Sequence, residues 1–301
     1  MIIDTQLDVA QREFVTKLDY YLPDDQIDEN VTMLVEWISK QPHLPKITDR
    51  KWLKHFIIGC KYDLHRAKQT IDKYFVARAE HPEFICTFDW EWILFNTKNG
   101  TICLFPKMTP EAYRVMCIRM KPMEKDMKVD FKLFFQLFLA ILDLQMNIEP
   151  MHGEIFLFDL ENLPIGQFMN LPPTMTKNCI DLCFNSFPVS VKGIHYINPP
   201  AFIGQLLTFV KMLLPNKIKT RVYVHQTLES LYQFIPKDVL PDKYGGTAGD
   251  IEKFEDKWFD YGKANTGWLE NRQKADLSKR INRPNFGELG VEGTFKKLEI
   301  D

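Results

Sequence analysis

No stretch of this 301-residue chain reaches the roughly 18 consecutive apolar residues that a membrane span requires. Nor does the N-terminus carry a basic start followed by an apolar run, since Met1-Ile-Ile-Asp4 passes directly into polar residues; this reads as a protein without a secretory leader. Cysteine is sparse and badly spaced for staples. Cys60, Cys86, Cys103, Cys117, Cys179 and Cys183 form no CxxC pair, which argues against a disulfide framework or a zinc site and fits reduced thiols in the cytoplasm. The net charge of −2 excludes a nucleic-acid binder that works through global basicity. GxGxxG, GxxxxGK[ST] and GxSxG are all missing, so the usual phosphate cradles and the common serine-hydrolase elbow are excluded. No two histidines have HxH or HxxxH spacing, and the reading calls for no metal and no cofactor.

The most informative absence is local. Between Leu182 and Leu228 there is no Asp or Glu, while Lys192, Lys211, Lys217, Lys219 and Arg221 all fall there. In a chain that is slightly acidic overall, this is a segment of unopposed positive charge.

What is present suits a globular protein. A hydrophobic share of 45% builds a core without staples. Phe outnumbers Tyr and Trp together, 23 against 10 and 6, which reads either as ordinary core or as the lining of an aromatic cavity.

The first ninety residues read as helices. Val31, Leu34, Val35 and Ile38 form an i, i+3, i+4, i+7 stripe that Asp28 can cap. Thr48 can cap a second helix carrying Trp52, Leu53, Phe56, Ile57 and Cys60; Asp63 can open a third that His81-Pro82 closes. From about Trp90 the pattern changes. Trp92–Phe95 and Thr101–Phe105 flank Asn99-Gly100 as a hairpin. Phe131–Leu142, behind Asp130, is apolar on nearly every side and reads as a buried helix. Strands at 153–159, 190–197 and 220–224 alternate with helices at 174–184 and 200–214, which predicts an α/β fold with a mixed, mostly parallel sheet. The last fifty residues are polar with isolated aromatic anchors, Trp258, Tyr261, Trp268 and Phe286, and read as a tail with some helix wrapping the domain. Three units follow: a helical 1–90, an α/β 91–250 and the tail 251–301.

The helix at 200–214 is unusual. At 100° per residue, Gln205, Thr208 and Lys211 make one narrow polar stripe, and apart from Ala201 and Gly204 all else is large and apolar. A surface helix needs an apolar arc of about a third of its girth. This one is either buried on several sides or faces apolar surroundings on two, as a lid would, closing a cavity on one side and lying on a membrane with the other. The lysines after it can serve the helix dipole or, with no carboxylate near in sequence, an anionic bilayer, where each basic residue contributes ~1 kcal/mol. Glu149, Glu154, Asp159 and Glu161 cluster around one strand, with Asp159 read as a turn former, and His152, His195 and His225 lie in apolar settings as satisfied core or surface residues.

Three segments together resemble the CRAL-TRIO family of lipid-binding proteins. Trp52–Ala67 is similar to its N-terminal helical motif, Ser186-Phe-Pro-Val-Ser-Val-Lys-Gly-Ile-His-Tyr-Ile-Asn-Pro-Pro-Ala-Phe202 to the strand leading into its gate helix, and Leu240-Pro-Asp-Lys-Tyr-Gly-Gly246 to its closing signature; Gly153–Asp159 fits the central strand. The resemblance spans about residues 25–250 and looks nearest the branch of α-tocopherol transfer protein, cellular retinaldehyde-binding protein and clavesins. It implies a helical lobe, an α/β lobe with a deep apolar pocket, a mobile helix over that pocket, and no catalysis.

The pocket is then expected from Phe134, Phe135, Phe138, Leu142, Phe156, Phe158, Ile180, Phe184, Ile194, Tyr196, Phe202, Leu206 and Val210, and the gate from Ile203, Leu207, Phe209, Leu213 and Leu214. In that branch a basic cleft beside the gate holds phosphoinositide headgroups. By motif position Lys192, Lys217 and Arg221 carry over; Lys211 and Lys219 are added from local charge. Ile58 and Cys60, with Lys61 alongside, stand where the branch carries arginines, so the cleft is expected to be weaker or shifted. The function so implied is a monomeric cytoplasmic carrier that encloses one small hydrophobic molecule, such as a tocopherol, retinoid or carotenoid, and associates reversibly with anionic membranes. The alternatives are transfer or sensing of phosphatidylinositol or another phospholipid, presentation of lipid to a partner, and an enzyme on a lipophilic substrate with Asp159 or His195 as base.

Overall fold

The computed structural model describes residues 3–84, 100–124, 127–201, 203–270 and 273–280. Helices α1 (Val9–Thr16), α2 (Asp24–Ser39), α3 (Arg50–Gly59) and α4 (Leu64–Glu80) form the first lobe. The predicted stripe is real: Ile27, Val31, Leu34 and Ile38 are the buried face of α2. Its start is not where Asp28 pointed. α2 begins at Asp24 behind Pro23, with Asp24 and Asp25 at the positive end of the helix dipole. Likewise Asp49, not Thr48, caps α3 by accepting the Trp52 N–H at 3.1 Å. Asp63 caps α4 as expected, at 3.0 Å from the Arg66 nitrogen.

The second lobe is built on five strands, β1 (Gly100–Leu104), β2 (Arg114–Met120), β3 (Glu154–Asp159), β4 (Val191–Ile197) and β5 (Val222–Val224), side by side in chain order. β1 and β2 are antiparallel and the other pairs parallel. Trp92–Phe95 and Asn99 of the expected hairpin fall outside the described residues, and β1 pairs with β2. That strand was hidden from a reading of hydrophobic pattern, because all seven of its residues are buried although two are arginines. Arg114 is held by Glu149 at 2.6 Å and Arg119 by Glu255 at 2.5 Å, so charge compensation replaces apolar alternation.

Each parallel pair needs a crossover. α5 (Phe131–Ile148) links β2 to β3; α6 (Ile165–Met169) and α7 (Pro173–Ser186) link β3 to β4; α8 (Ile203–Leu213) and α9 (Asn216–Lys219) link β4 to β5. With strands in sequential order, right-handed crossovers must all pass over the same face. Ring contacts agree: Phe138 of α5 and Phe184 of α7 both meet Phe156 of β3, at 5.6 and 6.4 Å.

The opposite face is covered by α10 (Leu228–Leu231), a 3-10 turn at Asp242–Tyr244 and α11 (Ile251–Ala264), followed by α12 (Thr266–Glu270). The tail is thus ordered helix where α11 runs. Ile251, Phe254 and Trp258 are buried, and the Trp258 indole donates to the Leu104 carbonyl at 3.0 Å. Phe286 lies outside the described residues. Beyond α12 the chain reaches the first lobe, where Ala275 N–H bonds Phe75 O at 3.0 Å and Arg280 bonds Asp72 at 2.9 Å.

α5 departs from expectation in one respect: its 18 residues, of mean hydropathy 1.4, are long and apolar enough to cross a bilayer by composition. Its apolarity has a local cause. Leu139–Met146 is buried between sheet and first lobe. There Asp143 accepts two bonds from Arg78, at 2.6 and 2.7 Å, and one from the Tyr74 hydroxyl at 2.7 Å.

Candidate functional site

The two layers do not close everywhere. β3 is the central strand, paired on both sides, yet Phe158 remains half-buried while every other β3 residue is buried. The cover is looser there, near the C-terminal end of β3, and the hollow expected between the sheet and its helices would lie at this point. Strand alternation puts Phe156 and Phe158 on the helical face, and register places Ile194 and Tyr196 beside them. Phe158 stacks on Tyr196 with ring centroids 5.2 Å apart. The helices add half-buried Phe134, Phe135 and Phe138 from α5, Ile180 and Phe184 from α7, and Val210 from α8. Leu142, Phe156, Ile194, Tyr196 and Leu206, also named from sequence, are buried in the surrounding core; Phe202 lies outside the described residues. Phe168 belongs here too and was missed: it meets Phe131 at 5.6 Å and Phe209 at 6.4 Å. Its short helix has too few residues to show a period. A separate cavity of about 230 Å³, lined by Trp52, Tyr74, Phe75 and Trp268 among others, lies at the join of the first lobe and α12.

α8 covers this hollow loosely. Of its eleven residues only Leu206 is buried, with Leu214 buried just beyond its end. Ile203, Leu207, Phe209, Val210 and Leu213 are half-buried. Gln205 and Thr208 of the expected polar stripe do face solvent, but the most exposed large apolar residue is Met212, at 67%.

Four cations converge at the end of the sheet where β5 begins. Lys192 is half-buried, and its amine is pushed down to about 8, first by desolvation and then by Lys61, Arg221 and Lys217. Desolvation, Lys217, Arg66 and Arg221 also lower Lys61. Among the described residues no carboxylate forms an ion pair with Lys61, Lys192, Lys217, Lys219 or Arg221. Arg221 donates to the Val191 carbonyl, fixing its guanidinium beside Lys192. Lys219 turns aside to Asn216 at 3.0 Å, and Lys211 rides on α8. Lys61, which sequence placed only alongside the motif, is presented by a left-handed turn in which Lys61 and Tyr62 have φ of 61° and 60°.

Asp159, His195 and His225 face the other way. Asp159 accepts the Tyr244 hydroxyl at 2.9 Å and the Asn198 amide at 2.8 Å, on the sheet face away from the hollow. His195 shares that face. Its Nδ1 lies 2.8 Å from His225 Nε2, and His225 Nδ1 lies 2.9 Å from the Ser230 hydroxyl. Ser230 spends its proton on Thr227 O, so His225 donates through Nδ1 and His195 donates to His225. Both rings are neutral; burial and His225 push His195 down to about 3. Glu154 is raised well above the carboxylate range by burial and by Glu149.

A five-stranded, mostly parallel sheet with a loosely seated apolar helix beside it is the α/β architecture in hand, and comparison identifies the class of lipid-binding proteins it belongs to. Residues 98–246 match the CRAL/TRIO domain, residues 23–91 match the Pinta-like UBA domain, and the chain belongs to the CRAL/TRIO family of lipid-binding and lipid-transfer proteins. Alpha-tocopherol transfer protein-like of Mus musculus and of Homo sapiens are each 25% identical over 246 residues, 81% of this chain and 70% of theirs. Clavesin-1 of Rattus norvegicus is 34% identical over 112 residues, 36% of this chain and 32% of its own. The crystal structure of Sfh5 superposes with a TM-score of 0.50 at 11% identity, covering 83% of this chain and 100% of that one; it shows the fold.

Proposed function

We propose that this protein is an intracellular carrier that encloses one small hydrophobic molecule in the hollow beneath α8 and exchanges it at anionic, phosphoinositide-containing membranes. The observation that carries the reading is the partly exposed Phe158 on the doubly paired strand β3, together with an apolar helix, α8, that has one buried residue. An empty apolar hollow of this kind loses dispersion contacts on every wall, and an apolar occupant restores them. α8 suits the task of a lid because little core has to break for it to move. The cations beside it provide the docking charge. An isoprenoid-like cargo fits walls made mainly of Phe, and the transfer-protein names of the relatives support it. The chain works as a monomer in the cytoplasm, touching membranes reversibly. No turnover step is proposed, since Asp159 and His195 are satisfied on the far face of the sheet.

Solvent extraction and native mass spectrometry of the purified protein test this directly. One bound hydrophobic molecule per chain is the expected result. A phospholipid in its place would move the reading to phospholipid transfer, and a protein that neither retains nor takes up any lipid would sink it.

A further inference from the structure

The basic cleft has a wall that neither matched family segment contains. Residues 3–21 lie before the first matched residue, 23, and form an arm rather than a loose end. Asp4 N–H bonds Pro106 O at 3.0 Å, Arg114 returns a bond to Asp4 O at 2.6 Å, and Gln11 reaches Thr109 O at 3.0 Å. Val15 packs with Met108 and Ala112, and Phe14 meets Tyr113 edge-on at 6.2 Å. The arm then delivers Tyr20 and Tyr21 onto Tyr62, at 6.2 and 5.7 Å.

This places two lysines of the cleft on tyrosine rings. Lys61 Nζ sits 5.0 Å from the Tyr20 ring centroid, and Lys192 Nζ sits 4.7 Å from that of Tyr113. A ring face under an ammonium holds it electrostatically without neutralising it. Neither ring therefore consumes the charge, as a carboxylate would, and both fix where it points. Tyr20 and Tyr113, both only partly buried, make no hydroxyl hydrogen bond among the described residues, so their O–H groups are available to a ligand. Glu111 is the acid that bears on Tyr113, and Arg221 opposes it.

Positive charge alone would take any anion. We propose that the N-terminal arm makes the cleft selective: Tyr20, seated under Lys61, together with Tyr113 under Lys192, favours a phosphorylated polyol, whose hydroxyls meet the tyrosines while its phosphates meet the cations. A serine headgroup fits worse, because its own ammonium meets the four cations.

This rests on the basic-cleft reading, and the test separates the two. Binding of the full chain is measured on phosphatidylcholine vesicles carrying a few mole per cent phosphatidylinositol 4-phosphate, and on vesicles brought to equal surface charge with phosphatidylserine. Wild type prefers the former. Tyr20→Leu loses about five- to tenfold on phosphoinositide and under about twofold on phosphatidylserine. Tyr20→Phe, which keeps the ring and lacks the hydroxyl, falls between. Soluble inositol 1,4-bisphosphate, titrated against the same variants, gives the same order when the headgroup itself is read. A Tyr20 effect seen on vesicles but absent with the soluble ligand overturns headgroup recognition and makes the arm a bilayer contact. If Tyr20→Leu matches wild type while Lys217→Ala with Arg221→Ala weakens binding, the arm plays no part and the cleft stands. If that double variant also binds as wild type, the cleft reading itself is wrong.

Discussion

α5 and α8 are alike in sequence and opposite in structure. Both are apolar almost all round, and neither shows the narrow stripe of an ordinary surface helix. α5 has ten buried residues and a buried ion pair to the first lobe; α8 has one buried residue and a Met standing two-thirds exposed. What separates them is the number of neighbours the topology supplies. α5 crosses between the inner strands and is clasped by the first lobe. α8 crosses to the edge strand β5, which has three half-buried residues, and among the described residues its outer side is left open, with Met212 exposed. Apolar composition on every side is thus compatible with a core helix or with a helix that has two different apolar partners at different times.

The sharpest way to break this contrast is thermodynamic. Asp143→Ala leaves Arg78 charged and buried, with an expected loss of about 3–5 kcal/mol in urea unfolding. Leu142→Ala on α5 should cost about 2–5 kcal/mol, and Leu207→Ala on α8 under about 1.5 kcal/mol, since its side chain is only partly buried. Equal costs at the two leucines would mean that α8 is core and no lid. A functional contrast comes next. Met212→Glu should leave stability within about 0.5 kcal/mol while slowing fluorescent-lipid exchange between vesicles several-fold; unchanged exchange would remove α8 from the membrane contact.

Two pH experiments are finer. Lys192 loses its ammonium as pH rises through about 8, so phosphoinositide-vesicle binding should weaken about fivefold between pH 7.5 and 9, above the range where phosphate monoesters titrate. Lys192→Arg should flatten that profile. His195 refuses a proton down to about pH 3, whereas the unfolded chain takes one near 6.5. Its linkage therefore lowers stability as pH falls from about 6.5 towards 3. His195→Asn, which retains a donor for His225, should make melting temperature less steep over that window.

The parallel sheet, α5, α7 and the helix over the hollow were legible because each is long or strongly patterned. β2 was not, since Arg114 and Arg119 look like surface residues until Glu149 and Glu255 are seen beside them. Two cap positions slipped, from Asp28 to Pro23 by five residues and from Thr48 to Asp49 by one, because several residues able to cap lie close together at those helix starts, whereas Asp63 caps where it was expected. Lys192, Lys217 and Arg221 could be named from their motif positions. The contribution of Tyr20 and Tyr113 could not, because no local pattern joins residues 93 apart in sequence to Lys61 and Lys192; only the fold brings them together. Lys211 and Lys219 were chosen from charge density, which ignores the direction of a side chain.

The cover on the back of the sheet comes from residues synthesised after every strand is complete. Until α11 emerges from the ribosome, Arg119 lacks Glu255 and the indole of Trp258 cannot reach Leu104. A released chain ending near residue 250 would hold all five strands yet lack α11, leaving Arg119 buried without Glu255 and Leu104 O without its indole donor. Premature stop codons between the closing Tyr244-Gly-Gly signature and α11 should therefore lower its abundance in cells even though all five described strands have been translated.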